Sequence, residues 1–318
     1  MSKRLTWIFV AVVFAVCLAV PAYAAWPEKP VKIIIPFKPG GTTDQTVRMF
    51  QKAIIDNNLM SQKLTVINIG GHYSVGCRKA LEAKPDGYTF LAIHKAMMGA
   101  QATGLIDFKY SDFEAVAETS KFNLISVVRE DSQWKTFDDL LKDAKANPDS
   151  IIFGCNLGAL NHMGGVTIQD TEPGSAFRFV QIGGGTANFT ALVGKQTQTT
   201  CLSAAEFINF RIKGLRGLAY LAKERHPMIP DVPTARELGR DAIFGVGSWW
   251  FAPKGTPQEA VDGLANVLGK AMQTTYVQEQ LNKKAFAPSF LKGDAFKKEL
   301  DEEWLRTQPV ALKTKKKK

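Results

Sequence analysis

Residues Val31–Asp44, VKIIIPFKPGGTTD, decide how the rest of the chain is read. Five mainly apolar, β-favouring residues stop at Pro36. A Pro-Phe-Lys-Pro-Gly-Gly loop follows, and Thr42-Thr43-Asp44 opens an amphipathic segment. A buried strand that turns on glycines into a helix leaves unpaired helix N–H groups over the strand's C-terminal end. Such amides attract anions, and in open α/β sheets ligands settle outside the carboxyl ends of the strands. The stretch therefore predicts one half of a cleft for a small anion.

The pattern repeats along the chain. Strands are expected at Val31–Ile35, Leu64–Ile69 and Tyr88–Ile93, with helices over Asp44–Asn57 and from Gly70-Gly71 through Leu81. Val47, Phe50 and Ile54 share one face of the first helix at i, i+3, i+7. This β-α-β-α-β rhythm predicts a parallel sheet covered by helices on both faces. A second set follows: strands Asn123–Val128, Ile151–Phe153, Phe177–Ile182, Gln198–Leu202 and Gly217–Ala222. Its helices begin at Thr136, after His162, at Thr186 and at Ala204. His226–Thr234 is proline-rich and aperiodic, a linker. Gly247–Pro253 reads as a strand returning to the first domain, followed by helices Pro257–Thr275 and Gly293–Arg306. Loops end six strands: Pro36–Asp44, Gly70–Ser74 and His94–Met98 in one half, Gly154–His162, Gly183–Asn188 and Ser203–Glu206 in the other. Two α/β lobes with facing loops make a ligand cleft.

The ends carry separate messages. Lys3 and Arg4, the apolar run Leu5–Val20 and Pro21-Ala22-Tyr23-Ala24 form an export signal with cleavage expected before Ala25. The run is short for a membrane anchor, which needs roughly 18 or more apolar residues. The formal charge of +10 is concentrated at the ends. Lys3, Arg4, Lys313 and Lys315–Lys318 account for seven charges, which leaves +3 for the folded body. No basic surface interleaved with aromatics is present, so nucleic acid is not an expected partner. Cys77, Cys155 and Cys201 remain after cleavage, and Cys155 with Cys201 are candidates for one bridge whose geometry the sequence leaves open.

Five motifs in order resemble one family. They are Trp26-Pro27-Glu28-Lys29-Pro30, Pro36-Phe37-Lys38-Pro39-Gly40-Gly41 with Asp44, Lys84-Pro85-Asp86-Gly87-Tyr88-Thr89, Pro230-Asp231-Val232-Pro233-Thr234 and Phe251-Ala252-Pro253-Lys254-Gly255-Thr256-Pro257. The mature chain resembles the extracytoplasmic solute receptors of tripartite tricarboxylate transporters, the Bug-type receptors. The resemblance implies a type II periplasmic-binding-protein fold, in which two α/β lobes close by a hinge on a small organic acid, expected to be an aliphatic di- or tricarboxylate or an aromatic carboxylate. It also implies delivery to membrane permease subunits, with no cofactor, no metal and no chemistry. Some members are thought to serve sensors instead. A monomer is expected. The expected division is 1–24 signal peptide, 25–123 plus 249–312 lobe 1, 124–248 lobe 2 with the hinge segments, and 313–318 basic tail.

In the family a bound carboxylate is held by the Pro-Phe-x-Pro-Gly-Gly loop, partly through water, and by small polar residues of the other loops. The resemblance brings Phe37, Gly40, Gly41 and Thr42 into the site, and His162 as the histidine that closes its loop. Three positions depart from the pattern: His94-Lys95 where a Thr-Ser-like pair is usual, Gly183–Thr186 in place of a Tyr-Lys-Gly-Ser-like run, and Leu202-Ser203 where an aspartate is common. Gly184 and Ser203 enter the candidate set through those departures.

The candidates carry competing readings. Phe37 packs either on ligand or on its own lobe. Gly40, Gly41 and Thr42 serve also as turn and N-cap residues. Asp44 is either a first-turn carboxylate or an acceptor for a ligand donor. Lys95, directly after a strand, is expected to point into the cleft and pair with a second carboxylate; a surface lysine is the alternative. His94 suits a structural or hydrogen-bonding role better than metal binding. Ser74 and Asn156 are expected donors to carboxylate oxygens. Thr186 and Asn188 are helix caps or ligand contacts. Trp249 and Trp250 are expected at the lobe junction.

Enzyme signatures are absent. Ser132-Gln133-Trp134-Lys135 fits S-x-x-K without its companion motifs, and no G-x-S-x-G, H-E-x-x-H or Walker loop occurs. A hydrolase reading would pair Cys155 with His162, and a cysteine after a glycine at a strand end is more often structural.

Overall fold

The computed structural model describes residues 26–314. The expected signal peptide and Lys315–Lys318 lie outside the described residues. The first strand, β1 (Val31–Ile35), pairs in parallel with β2 (Leu64–Asn68) and β3 (Thr89–Ile93). Helices α1 (Thr42–Asp56), α2 (Tyr73–Leu81) and α3 (Ala96–Thr103) follow these strands in turn. In α1 the predicted stripe Val47, Phe50 and Ile54 is buried, and Phe50 meets the Trp250 ring edge-on at 5.9 Å. Burying a phenylalanine in this way makes Phe→Ala changes cost about 3–5 kcal/mol.

One long strand ties the molecule together. β4 (Phe113–Arg129) pairs over Phe113–Asn123 with the returning β9 (Gly245–Pro253). Over Leu124–Val128 it pairs with β7 (Thr199–Ser203), and over Ile125–Arg129 with β8 (Leu215–Tyr220). The second lobe adds β5 (Ile152–Cys155) and β6 (Arg178–Gln181), both parallel to their neighbours. Its helices are α4 (Phe137–Ala146), α5 (Leu160–Gln169), α6 (Gly185–Val193) and α7 (Ala204–Phe210). The strand path is β2-β1-β3-β9-β4-β7-β5-β6. The sheet is therefore mixed: β9 and β4 run antiparallel to their neighbours, so the purely parallel expectation holds only for β1–β3 and β5–β7.

The first part of β4 escapes a sequence reading because Glu118, Thr119 and Ser120 interrupt its apolar run while being buried. Their polar atoms are satisfied internally. Trp249 Nε1 donates to Glu118 at 3.0 Å, Trp250 Nε1 to Thr119 Oγ1 at 3.0 Å, and Ser120 Oγ to Ser248 Oγ at 3.0 Å. Both tryptophans, expected at the lobe junction, thus sit on β9 between β3 and β4, buried in the sheet of the first lobe.

The C-terminal segment is more divided than predicted. It comprises α8 (Gln258–Met272), α9 (Thr275–Lys283), β10 (Ala287–Lys292) and α10 (Gly293–Lys313). Thr274 caps α9 by accepting from Val277 N, so the apolar periodicity restarts there. Lys313, assigned to a tail from sequence, belongs to α10 and reaches Asp170 at 2.7 Å. Cys77, Cys155 and Cys201 are buried free thiols, so no bridge joins Cys155 to Cys201.

Candidate functional site

The site begins where β1 ends. Gly40 adopts φ +86, which only glycine takes without strain, and the chain turns there into α1. Asp44 stabilises the turn by accepting from Gly40 N at 2.9 Å. The same carboxylate binds Arg48 at 2.9 Å and Asn68 Nδ2 at 2.9 Å. Its first role, a first-turn carboxylate, is the one the structure supplies; it faces its own lobe.

A cavity of about 280 Å³ lies between the loops of the two lobes. Of the predicted residues, Phe37, Gly41, Thr42, His94, Asn156, Gly184, Thr186 and Ser203 line it. Phe37 stacks on His94 with centroids 4.8 Å apart and planes 24° apart. Phe122 meets the same imidazole edge-on at 6.5 Å. These rings with Leu124 and Leu160 make the apolar part of the wall. His94 is buried, and that burial with the neighbouring Lys95 charge pushes its pKa down to about 3. It is therefore a neutral ring at ordinary pH, and its Nδ1 accepts from Ala96 N at 3.3 Å.

Six predicted residues stay out of the cavity wall. Gly40 and Asp44 shape the loop behind it. Ser74 Oγ is taken by His72 Nδ1 at 2.7 Å, and it is His72 that reaches the wall. Asn188 Nδ2 donates to Gly183 O at 2.6 Å and Gly184 O at 3.1 Å, fixing the glycine loop from below. His162 Nδ1 accepts from Gly158 N at 3.0 Å and its ring packs on Phe179, with burial lowering its pKa to about 4.

Lys95 is the main correction. It does not point into the cleft. Its ammonium donates to Glu303 of α10 at 3.0 Å and lies 4.0 Å from the centre of the Phe244 ring. Both partners are nearly buried, and Glu303 also holds Arg306 at 3.0 Å and Thr307 Oγ1 at 3.0 Å. A cation buried this deeply demands a partner, and the partner came from a helix some 200 residues away in sequence, at a separation of 208 positions.

On the lobe 2 wall, Asn156 N donates to Asn161 Oδ1 at 2.9 Å and Asn156 Oδ1 accepts from Gln181 Nε2 at 3.1 Å. Asn156 Nδ2 and Thr186 Oγ1 are buried without a protein partner. Sequence reading passed over His72, Asn161, Gln181 and, above all, Glu206. Glu206 is buried. Ser203 N and Ser203 Oγ both donate to its Oε2 at 3.0 Å, and Glu206 N donates back to Ser203 Oγ at 3.2 Å. This is a capping box at the start of α7. Oε1 reaches across to lobe 1 and accepts from Thr42 N, the first amide of α1, at 3.2 Å. Thr42 Oγ1 meets Ser203 Oγ at 2.5 Å beside it. Burial raises the Glu206 pKa, and the donors of Ser203 and Thr42 pull against that rise. The signal was the Ser-Ala-Ala-Glu spacing at a strand end; a capping box read locally gives no hint that its carboxylate spans two lobes.

The sequence profile of the tripartite tricarboxylate transporter family receptor matches residues 46–314. The chain belongs to this family. Protein BugT of Bordetella pertussis is 29% identical over 273 residues, 82% of each chain. A solved structure described as a periplasmic transporter is 26% identical, with a TM-score of 0.81 over 91% of this chain and 96% of that one. MatC from Rhodopseudomonas palustris with bound malate superposes with a TM-score of 0.83 at 22% identity, over 90% of this chain and all of that one, 100%. The architecture is thus the two-lobed type II periplasmic-binding-protein fold, and the family is one of solute receptors, not enzymes. The hydrolase pairing fails on its own terms as well: burial pushes the Cys155 thiol up to about 12, so it is protonated and a poor nucleophile. Among the described residues no helix is long and apolar enough to cross a membrane.

Proposed function

We propose that this receptor is exported to the periplasm, captures a small organic carboxylate between its lobes and presents it to the permease subunits of a tripartite transporter, acting as a monomer. The observation that carries the reading is the interlobe cavity, walled by the N-terminal ends of α1 and α6, where Thr42 N alone is already given to Glu206, and by Asn156, whose Nδ2 has no protein partner. Helix N-termini and amide donors hold carboxylates without a fixed cation. The malate held by the similarly folded MatC supports the ligand class. We assign residues 25–123 with 249–312 to lobe 1 and 124–248 to lobe 2, with the hinge where β4 and the Leu221–Phe244 segment pass between them.

A ligand that binds only the folded receptor raises its stability by RT ln(1 + [L]/Kd), about 2.7 kcal/mol at 100 times Kd. A thermal-shift screen across aliphatic and aromatic organic acids is expected to give a concentration-dependent rise in Tm for a narrow group of them. No rise with any acid at millimolar concentration sinks the reading.

A further inference from the structure

Resting on the carboxylate-receptor reading, we propose that Glu206 is a specificity-determining residue that sets the charge of the ligand. The receptor takes a monocarboxylate whose far end offers a hydrogen-bond donor, and it rejects a second carboxylate. Three observations carry this. First, the amide at the start of α1, where a ligand carboxylate would be drawn, is already engaged by Glu206 Oε1 at 3.2 Å. Space for that carboxylate is reserved by Gly185, since a Cβ there would stand 2.1 Å from Oε1. Second, the wall supplies no buried cation to offset another charge. Lys95 is spent on Glu303 and does not line the cavity, His94 is neutral, and Lys38, which does line it, is exposed to solvent. Third, the other wall holds a donor without a partner. Asn156 is 1% exposed with Nδ2 unpartnered, and it lines the cavity together with Gly184, Gly185 and Thr186 at the N-terminus of α6.

A single ligand carboxylate therefore has a favourable seat at Asn156 and the Gly184 and Gly185 amides, Gly183 N being already given to Cys155 O. The opposite end of the same ligand meets an acceptor. Oε2 takes both Ser203 donors, whereas Oε1 takes only Thr42 N and keeps a lone pair for a hydroxyl, amide or ammonium N–H. A carboxylate placed there would face Glu206 at contact distance, the like-charge repulsion by which binding sites reject wrong partners.

The test is calorimetric titration of the full mature chain with matched pairs: the unbranched α,ω-dicarboxylates of four to six carbons, and their monoamides. In the wild type a monoamide is expected to bind at least about tenfold tighter than the diacid of equal length. In Glu206→Gln, and independently in Glu206→Ala, that preference is expected to shrink to about threefold or less. Each variant's melting curve checks that it is folded. A wild-type preference for the diacid overturns the proposal, as does an unchanged ratio in both folded variants. If no member of either series binds the wild type while another acid raises its Tm, the proposal falls and the carboxylate reading stands; if no acid of any kind binds, the carboxylate reading itself falls.

Discussion

Lys95 and Glu206 occupy matching places in the two lobes. Each follows the C-terminal end of a strand, β3 or β7, at the start of a helix, and each is buried. Lys95 turns away from the cleft to a carboxylate of its own lobe, while Glu206 has only hydrogen-bond donors for company and turns toward the other lobe. A buried charge is held either by an opposite charge or by dipoles. The first solution removes the charge from the site and makes it structural. The second leaves the group available, and a site lined by Glu206 presents a hydrogen-bond acceptor where a site lined by Lys95 would have presented a donor.

The comparison breaks most visibly at Glu303. Glu303→Ala leaves Lys95 buried without its counter-charge, and removing one partner of a buried pair costs about 3–5 kcal/mol. Urea denaturation is expected to show that loss. Lys95→Met is expected to cost less, because Glu303 keeps Arg306 and Thr307 Oγ1. It is also expected to leave the monoamide-to-diacid binding ratio where it was. A changed ratio would return Lys95 to the site.

Acid sharpens the same contrast through His94. Its pKa stands near 3 in the folded chain against 6.5 ordinarily, because burial and Lys95 both oppose its charge. Below about pH 6.5 the unfolded chain takes up a proton that the folded chain refuses, so stability falls as pH drops toward 3, by up to about 1.4 kcal/mol per unit. His162, lowered to about 4, adds to the slope in the same direction. His94→Asn, which retains a side-chain acceptor for Ala96 N, is expected to flatten the acid limb of a Tm-against-pH curve. An unchanged limb would mean that His94 is already hydrated and charged.

How much of this was legible follows from the range of the forces involved. The β1–loop–α1 unit was plain because strand, glycine turn and helix start are local, and Phe37, Gly41 and Thr42 do line the cavity. Lys95 was misread because its partner is 208 positions away, and nothing near Lys95 in sequence names Glu303. Glu206 was missed for the opposite reason. Its local role, capping α7 with Ser203, explains the residue so fully that nothing prompts a search for Thr42 across the cleft. The early half of β4 was hidden by buried polar residues whose partners, Trp249 and Trp250, return only at the end of the sheet.

The smallest effect separates closing from charge selection. Thr42 Oγ1 and Ser203 Oγ touch at 2.5 Å across the cleft, and the contact exists only when the lobes are together. Thr42→Val keeps the β-branched shape and the backbone amide that binds Glu206, and it removes only the hydroxyl. The loss of one neutral hydrogen bond is worth about 1 kcal/mol, which is roughly a fivefold weaker Kd when it falls on the closed state alone. Monoamide and diacid are expected to weaken together, with their ratio kept, because Glu206 stays in place. The Tm of the ligand-free receptor is expected to move little if the lobes open without ligand. A large fall in that Tm, with Kd unchanged, would show that the Thr42–Ser203–Glu206 chain holds the lobes together at all times; Glu206 would then be a fixed wall of the site rather than a jaw that arrives with the ligand.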